Sequence, residues 1–124
     1  MTVPSADTSS SLVRLAVEYW RLLRAYDRLR ASVENEASAR FAAQSRFATG
    51  RLEALLTEAG LRLAIFDGQP FHPGLPVRAL NADDFTEDEG LIVAFTNEPT
   101  ILAEEGRVVV LGTVTLDRRV EGAA

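Results

Sequence analysis

An apolar residue recurs every three or four positions through a stretch without proline, and this repeat constrains the fold more than any other feature of the sequence. Spacings that alternate between three and four place side chains along one stripe of a helix, as in a coiled coil. Three serines at 9–11 offer N-cap oxygens just before the stripe begins. We therefore predict a helix that starts near residue 10. Its stripe consists of Leu12, Leu15, Tyr19, Leu22, Tyr26, Leu29 and Val33.

The predicted helix continues to residue 60. Beyond Val33 the seven-residue repeat stops, and an eleven-residue spacing continues through Phe41 to Ala59, which suits a nearly straight pairing of helices. Gly50 is the weak point of this stretch, because glycine lowers helix stability by about 1 kcal/mol relative to alanine. Any break is expected near Gly50. Gly60 follows the last turn, where glycine commonly caps a helix.

A single helix over residues 10–60 is too long for the rest of the chain to cover. At 1.5 Å per residue it would extend about 70 Å. The helix must therefore pair with a second copy or fold back on itself. A fold-back turn commonly contains Gly or Pro, and residues 12–48 contain neither. We expect a homodimeric coiled coil through the seven residues of the stripe, in parallel or antiparallel orientation, and the hairpin is the alternative.

The pattern changes after residue 60 from helical spacing to short β-prone runs. These runs cover 61–66, 91–96, 100–103 and 107–116, with turn-rich and acidic segments between them. The last is the strongest predicted strand, with Val108, Val110, Val114 and Leu116 on one face. The predicted fold is α+β. It consists of a disordered lead-in (1–9), the long helix (10–60), a small all-β domain of sandwich or barrel type (61–120) and a tail (121–124).

Composition argues against several classes of function. The chain has no cysteine and a single histidine, His72, so thiolate metal sites and disulfides cannot form and a catalytic histidine has weak support. A net charge of −5 and a pI of 4.9 argue against nucleic-acid binding. No apolar run approaches the roughly 20 residues of a membrane helix, and no signal peptide is visible. We expect a non-enzymatic cytoplasmic protein that uses no metal or cofactor and binds neither nucleic acid nor membrane.

Several motifs occur in a recognisable order across the predicted β domain. A helix end at 56–61, Leu-Thr-Glu-Ala-Gly-Leu, precedes Gly-Gln-Pro-Phe-His-Pro at 68–73, and the run at 107–116 closes the domain. This order resembles GrpE-type nucleotide exchange factors. Members of that family show Leu-x-x-x-Gly-Val, then Gly-x-Pro-Phe-Asp-Pro, then Arg-Val-Leu-Arg-Pro-Ala-x-Val-x-Val. The resemblance covers about residues 45–117.

The resemblance implies a partner and two contact residues. Proteins of this family bind the nucleotide-binding domain of a DnaK-type chaperone as dimers and promote ADP release without covalent chemistry. Arg107 matches an arginine on the family's β wing that meets the chaperone, and Leu116 matches an apolar residue on the same closing strand. An exposed turn arginine and a core-facing leucine are the alternative interpretations of these two positions.

The sequence departs from the family pattern at three places. Pro-Val-Arg-Ala at 76–79 stands where the family has His-Glu-Ala, Leu111-Gly112 replaces Pro-Ala, and Glu-Pro-Thr at 98–100 replaces a Gly-Tyr turn. These departures support a second hypothesis. The protein would then be a divergent dimeric adaptor that docks on a chaperone-like ATPase, or on another partner, without exchange activity.

Overall fold

The computed structural model describes residues 6–33, 37–86 and 90–119. These residues form helices and two small sheets, so the fold is α+β as predicted. The chain divides into two compact units, residues 1–62 and 63–124. The sequence placed the corresponding boundary between residues 60 and 61. Among the described residues, no helix combines the length and the apolar character needed to cross a membrane.

The first unit contains a pair of antiparallel helices, α1 (Ala6–Ala31) and α2 (Ala37–Glu58). Near the end of α1, the Tyr26 ring meets the Phe41 ring edge-on, with 6.3 Å between centroids. Tyr26 Oη also donates a hydrogen bond to Gln44 Oε1 at 3.4 Å. Both contacts join the end of one helix to the start of the other. The prediction of one continuous helix over 10–60 is therefore wrong, and the fold-back alternative is observed.

The first helix ends without glycine or proline, and Gly50 lies inside α2. Ser32 Oγ donates a hydrogen bond to the Leu29 carbonyl at 2.7 Å. The Val33 N–H bonds to the Arg30 carbonyl at 3.1 Å, a tighter spacing than that of an α-helix. A serine hydroxyl that binds a nearby carbonyl competes with helix continuation. We expected a fold-back turn to contain Gly or Pro. This expectation was wrong, because a connection of five residues is enough to join two antiparallel helices without either.

The strands form two three-stranded sheets, which lie in the second unit except for the first two residues of β1. We call the second unit the β unit. The first sheet has the order β1-β4-β5, and the second sheet has the order β2-β6-β3. In the second sheet, β6 runs parallel to β2 and antiparallel to β3. A 3-10 turn covers Ala82–Asp84. The strands are β1 (Leu61–Ala64), β2 (Val77–Ala79), β3 (Leu91–Glu98), β4 (Thr100–Ala103), β5 (Val108–Val110) and β6 (Gly112–Arg118).

The run at 107–116, predicted as one strand, forms two strands in different sheets. β5 ends at Val110 and β6 begins at Gly112. Val108 is exposed whereas Val114 is buried, so the predicted common face does not exist. A Cβ atom at Gly112 would lie 2.5 Å from the carbonyl oxygen of Glu98. The close approach of these two backbones therefore requires glycine at the point where the chain changes sheets.

A core of the β unit is centred on Val93, Val114 and Leu116. Thr100 is fully buried, and its hydroxyl holds together the point where the chain changes sheets. This hydroxyl donates to the Pro76 carbonyl at 2.7 Å and accepts the Gly112 N–H at 3.0 Å. One side chain thus joins β4, the start of β6 and the residue before β2. Partly buried apolar side chains complete the core: Phe66, Phe71, Leu75, Val77, Ala79, Phe85 and Leu91.

We expect Gly112→Ala to lower the free energy of unfolding by about 3 kcal/mol, as overpacking at a rigid site does. The new Cβ would meet the Glu98 carbonyl oxygen at 2.5 Å and the Pro99 carbonyl carbon at 2.7 Å. Gly50→Ala is the matched control, since a Cβ there has nothing within 4 Å, and it should stabilise the helix by about 0.5–1 kcal/mol. Urea unfolding followed by circular dichroism measures both. Equal free energies of unfolding for Gly112→Ala and Gly50→Ala would contradict the close backbone approach at Gly112.

Candidate functional site

The turn between β4 and β5 carries Arg107, the residue predicted to bind a partner. The Ala103 N–H bonds to the Arg107 carbonyl at 2.8 Å, and the Gly106 N–H bonds to the Ala103 carbonyl at 2.9 Å. Gly106 has a φ of +88°, which glycine adopts readily. This backbone holds Arg107 at the surface with 66% of its side chain exposed. Exposure of this kind is compatible with both interpretations of Arg107.

Glu105 pairs with the guanidinium of Arg107. The Arg107 Nε lies 3.0 Å from Glu105 Oε1. A backbone N–H bonded to the carboxylate and, secondarily, the Arg107 guanidinium lower the pKa of Glu105 from its ordinary value. Glu105 is therefore charged at neutral pH. The pair engages Nε, while the two terminal nitrogens of a guanidinium can bind a carboxylate of another molecule bidentately.

Exposed apolar side chains follow Arg107 along the chain. Val108, Val109 and Leu111 are all exposed, and β5 is an edge strand of its sheet. An edge strand with exposed apolar residues is a common place for another chain to bind. We call the surface formed by Arg107, Val108, Val109 and Leu111 the β5 edge. It combines one positive charge with three apolar side chains.

The second predicted partner-binding residue, Leu116, lies in the core. It is 2% exposed and clusters with Val93 and Val114. A side chain buried to this degree cannot contact a partner while the β unit is folded. The assignment of Leu116 to a binding surface is therefore corrected to the alternative, a core-facing strand leucine.

The residues predicted to form the dimer lie on and just after α1, and most of them are exposed. Tyr26 differs, because it is half-buried against Phe41 of α2. The hairpin thus uses one member of the stripe for its own packing and leaves the others accessible. The exposed members are Leu12, Leu15, Tyr19, Leu22, Leu29 and Val33.

An apolar groove of about 400 Å³ runs between the two helices. Leu12, Leu15 and Tyr19 line it from α1, and Phe47 and Leu55 line it from α2. The last two are exposed. Leu55 belongs to the eleven-residue pattern seen in the sequence, whereas Phe47 was not identified. Its spacing of eight residues from Leu55, which returns to the same face of a helix, is the signal that could have revealed it.

No assembled metal site is present in the described parts of the chain, where three His, Asp or Glu side chains never come close enough to hold an ion. His72, the only histidine, accepts the Gly74 N–H at Nδ1 with a distance of 3.1 Å. This bond closes an exposed loop, which is the structural role that the sequence favoured. His72 therefore needs no further function to account for its position.

Comparison with protein-family models, with curated proteins and with solved structures finds no match for this chain. Function must therefore be inferred from the two exposed surfaces, the β5 edge and the groove of the hairpin.

We expect Leu116→Ala to lower the free energy of unfolding by about 2–5 kcal/mol, because it removes a fully buried leucine from the core. Leu111→Ala is the matched control at a position where the side chain is 50% exposed. It should lower the free energy of unfolding by well under half as much as Leu116→Ala. Chemical denaturation of the two variants gives both values. A small effect at Leu116 would restore it as a candidate surface residue.

Proposed function

We propose that the protein is a GrpE-like co-chaperone that binds the nucleotide-binding domain of a DnaK-type ATPase and promotes ADP release. The observation that supports this most is the β5 edge, where a hydrogen-bonded turn presents Arg107 beside exposed apolar side chains. Arg107 is also the position that the sequence resemblance relates to the chaperone contact. The β unit follows a helical segment, in the order of parts that such proteins have.

In this proposal the β unit acts as a rigid docking element. The free end of the Arg107 guanidinium binds a carboxylate on the ATPase, and Val109, two residues further along the edge strand and so on the same side, packs on adjacent apolar surface. Glu105 restrains Arg107 through Nε and so limits the rotamers that binding must order. The chain forms and breaks no covalent bond and requires no cofactor.

Nucleotide release follows from linkage. If the protein binds the open form of the ATPase cleft more tightly than the closed form, binding shifts the cleft toward opening. ADP, which prefers the closed form, is then held more weakly. The same free energy of coupling acts in both directions, so ADP must also weaken the binding of this protein. Couplings of this kind are typically about 1–3 kcal/mol.

A second candidate function is an adaptor that docks without promoting exchange. It is favoured by Arg78, which is exposed and lies in the segment that replaces the family's His-Glu-Ala. Arg78 places a positive charge where the family has a glutamate. A partner surface that is complementary to the glutamate would bind Arg78 more weakly. Val77 and Ala79, by contrast, pack on the core and keep β2 in place.

The test is release of a fluorescent ADP analogue from the DnaK-type ATPases of the same organism. We expect the protein to accelerate release, and Arg107→Ala to weaken its binding by about tenfold or more, the usual cost of losing a hydrogen bond to a charged group. Arg119→Ala is the control, because Arg119 is another exposed arginine of the β unit outside the β5 edge. Equal losses in the two variants would remove Arg107 from the proposed contact.

Each outcome with the unmodified protein has a separate meaning. Accelerated release supports the exchange factor. Binding measured by calorimetry without accelerated release supports the adaptor. Neither binding nor release with any of these ATPases would contradict the exchange factor and would leave the adaptor only with a partner of another kind.

A further inference from the structure

The level of each side chain along the groove of the hairpin follows from the antiparallel packing of the two helices. Near the connection between them, Tyr26 of α1 contacts Phe41 and Gln44 of α2. Seven residues make about two helical turns, so Tyr19 lies two turns from these contacts on α1, and Arg51 lies two turns from them on α2. Tyr19 and Arg51 both line the groove, and they therefore lie at about the same level of it.

The lining beyond Tyr19 and Arg51 is apolar and extends toward the start of α1. Leu12 lies about two turns beyond Tyr19, roughly 10 Å away at 1.5 Å per residue. On the side of the helix connection, Phe47 lies about one turn from Arg51. The groove thus has one polar level between an aromatic ring and a longer aliphatic part. The other apolar side chains of the lining are Leu15, Ala16, Ala48, Leu52, Leu55 and Leu56.

The polar level of the groove is positively charged and has two hydrogen-bond donors. Of the described residues that line the groove, Arg51 alone is charged, and the Tyr19 hydroxyl is a second donor. Within the described ranges, neither side chain takes part in a hydrogen bond or an ion pair. Glu18, which is next to Tyr19 in sequence, pairs with Arg21 at 3.2 Å. An anion can therefore bind Arg51 and Tyr19 without breaking an existing contact.

The dimensions of the groove suit an alkyl chain and not a helix. Small-molecule sites commonly have volumes of about 300–1,000 Å³, with an apolar lining and a few polar groups, and this groove has about 400 Å³. Spread over the roughly 14 Å between the levels of Phe47 and Leu12, that volume gives a cross-section of about 30 Å². A helix of about 10–12 Å diameter has a cross-section of roughly 80–110 Å². A single alkyl chain is much thinner and can lie along the groove.

We propose that the groove of the hairpin binds a fatty acid. The carboxylate binds at Arg51 through two parallel hydrogen bonds, as guanidinium groups bind carboxylates, and the Tyr19 hydroxyl donates one more. The alkyl chain lies against the leucines toward Leu12. Because the ligand contacts both helices, its binding stabilises the hairpin by mass action. Every residue of this site belongs to the first compact unit, so the proposal does not depend on what the β5 edge binds.

Calorimetry with two amphiphiles of opposite charge tests the site. Dodecanoate and dodecyltrimethylammonium have alkyl chains of nearly equal length, and each is titrated into the full chain below the concentration at which it forms micelles. We expect dodecanoate to bind at least about tenfold more tightly, because its head group alone is complementary to Arg51.

Substitution of Arg51 should change which amphiphile binds better. Arg51→Glu should reverse the preference, so that dodecyltrimethylammonium binds more tightly than dodecanoate. Arg46→Glu is the matched control, because Arg46 is exposed on α2 and does not line the groove, and it should keep the wild-type preference. Tyr19→Phe removes only the hydroxyl and should weaken dodecanoate binding by about threefold. Circular dichroism verifies that each variant is folded.

Methyl NMR of the unmodified protein locates the bound chain without any substitution. Dodecanoate should shift the signals of Leu12, Leu52 and Leu56, which line the groove. It should leave the signals of Val93 and Val114 unchanged, because these residues lie in the core of the β unit.

Four results would overturn the proposal. These are a lack of dodecanoate binding, equal affinities for the two amphiphiles, a preference for dodecanoate that survives Arg51→Glu, and dodecanoate binding that leaves the methyl signals of the groove unshifted. After the first result, the groove would be assigned to apolar side chains of another protein.

Discussion

The close backbone contact at Gly112 is the constraint on which the β unit depends. There the chain leaves one sheet and enters the other, and the space opposite is filled by the carbonyl oxygen of Glu98. The hydroxyl of Thr100 binds the Gly112 N–H and the Pro76 carbonyl at the same point. Because Thr100 is fully buried, loss of either bond would leave a polar group unpaired in the interior.

This crossing determines which residues of the closing segment reach the surface. Before Gly112 the chain forms an edge strand, so Val108 and Arg107 are exposed. After Gly112 it forms the central strand of the other sheet, so Val114 and Leu116 are buried. A sequence reading that treats the segment as one strand assigns both halves the same environment. For this reason it placed Val108 and Val114 on one face. Leu116 was assigned to the binding surface through the family resemblance, which does not report burial, and it lies in the core.

The sequence predicted well the features that depend on neighbouring residues. It predicted poorly which distant segments of the chain pair with each other. The helical character of α1 and the strands β3 and β4 follow from patterns of a few neighbouring residues. The three-residue strand β2 was missed, because its pairing with Gly112–Val114 joins segments far apart in the chain. The apolar stripe of α1 was identified as a surface to be covered, but periodicity does not specify what covers it. α1 ends just before Ser32, a small polar residue with no strong turn signal, so the sequence did not mark where the chain folds back.

The two exposed surfaces are built by different compact units, the groove of the hairpin by the first and the β5 edge by the second. A substitution at Arg107 changes only the exposed turn between β4 and β5 and leaves the packing of α1 on α2 as it is. A loss of partner binding on substitution of Arg107 would therefore report on the β5 edge.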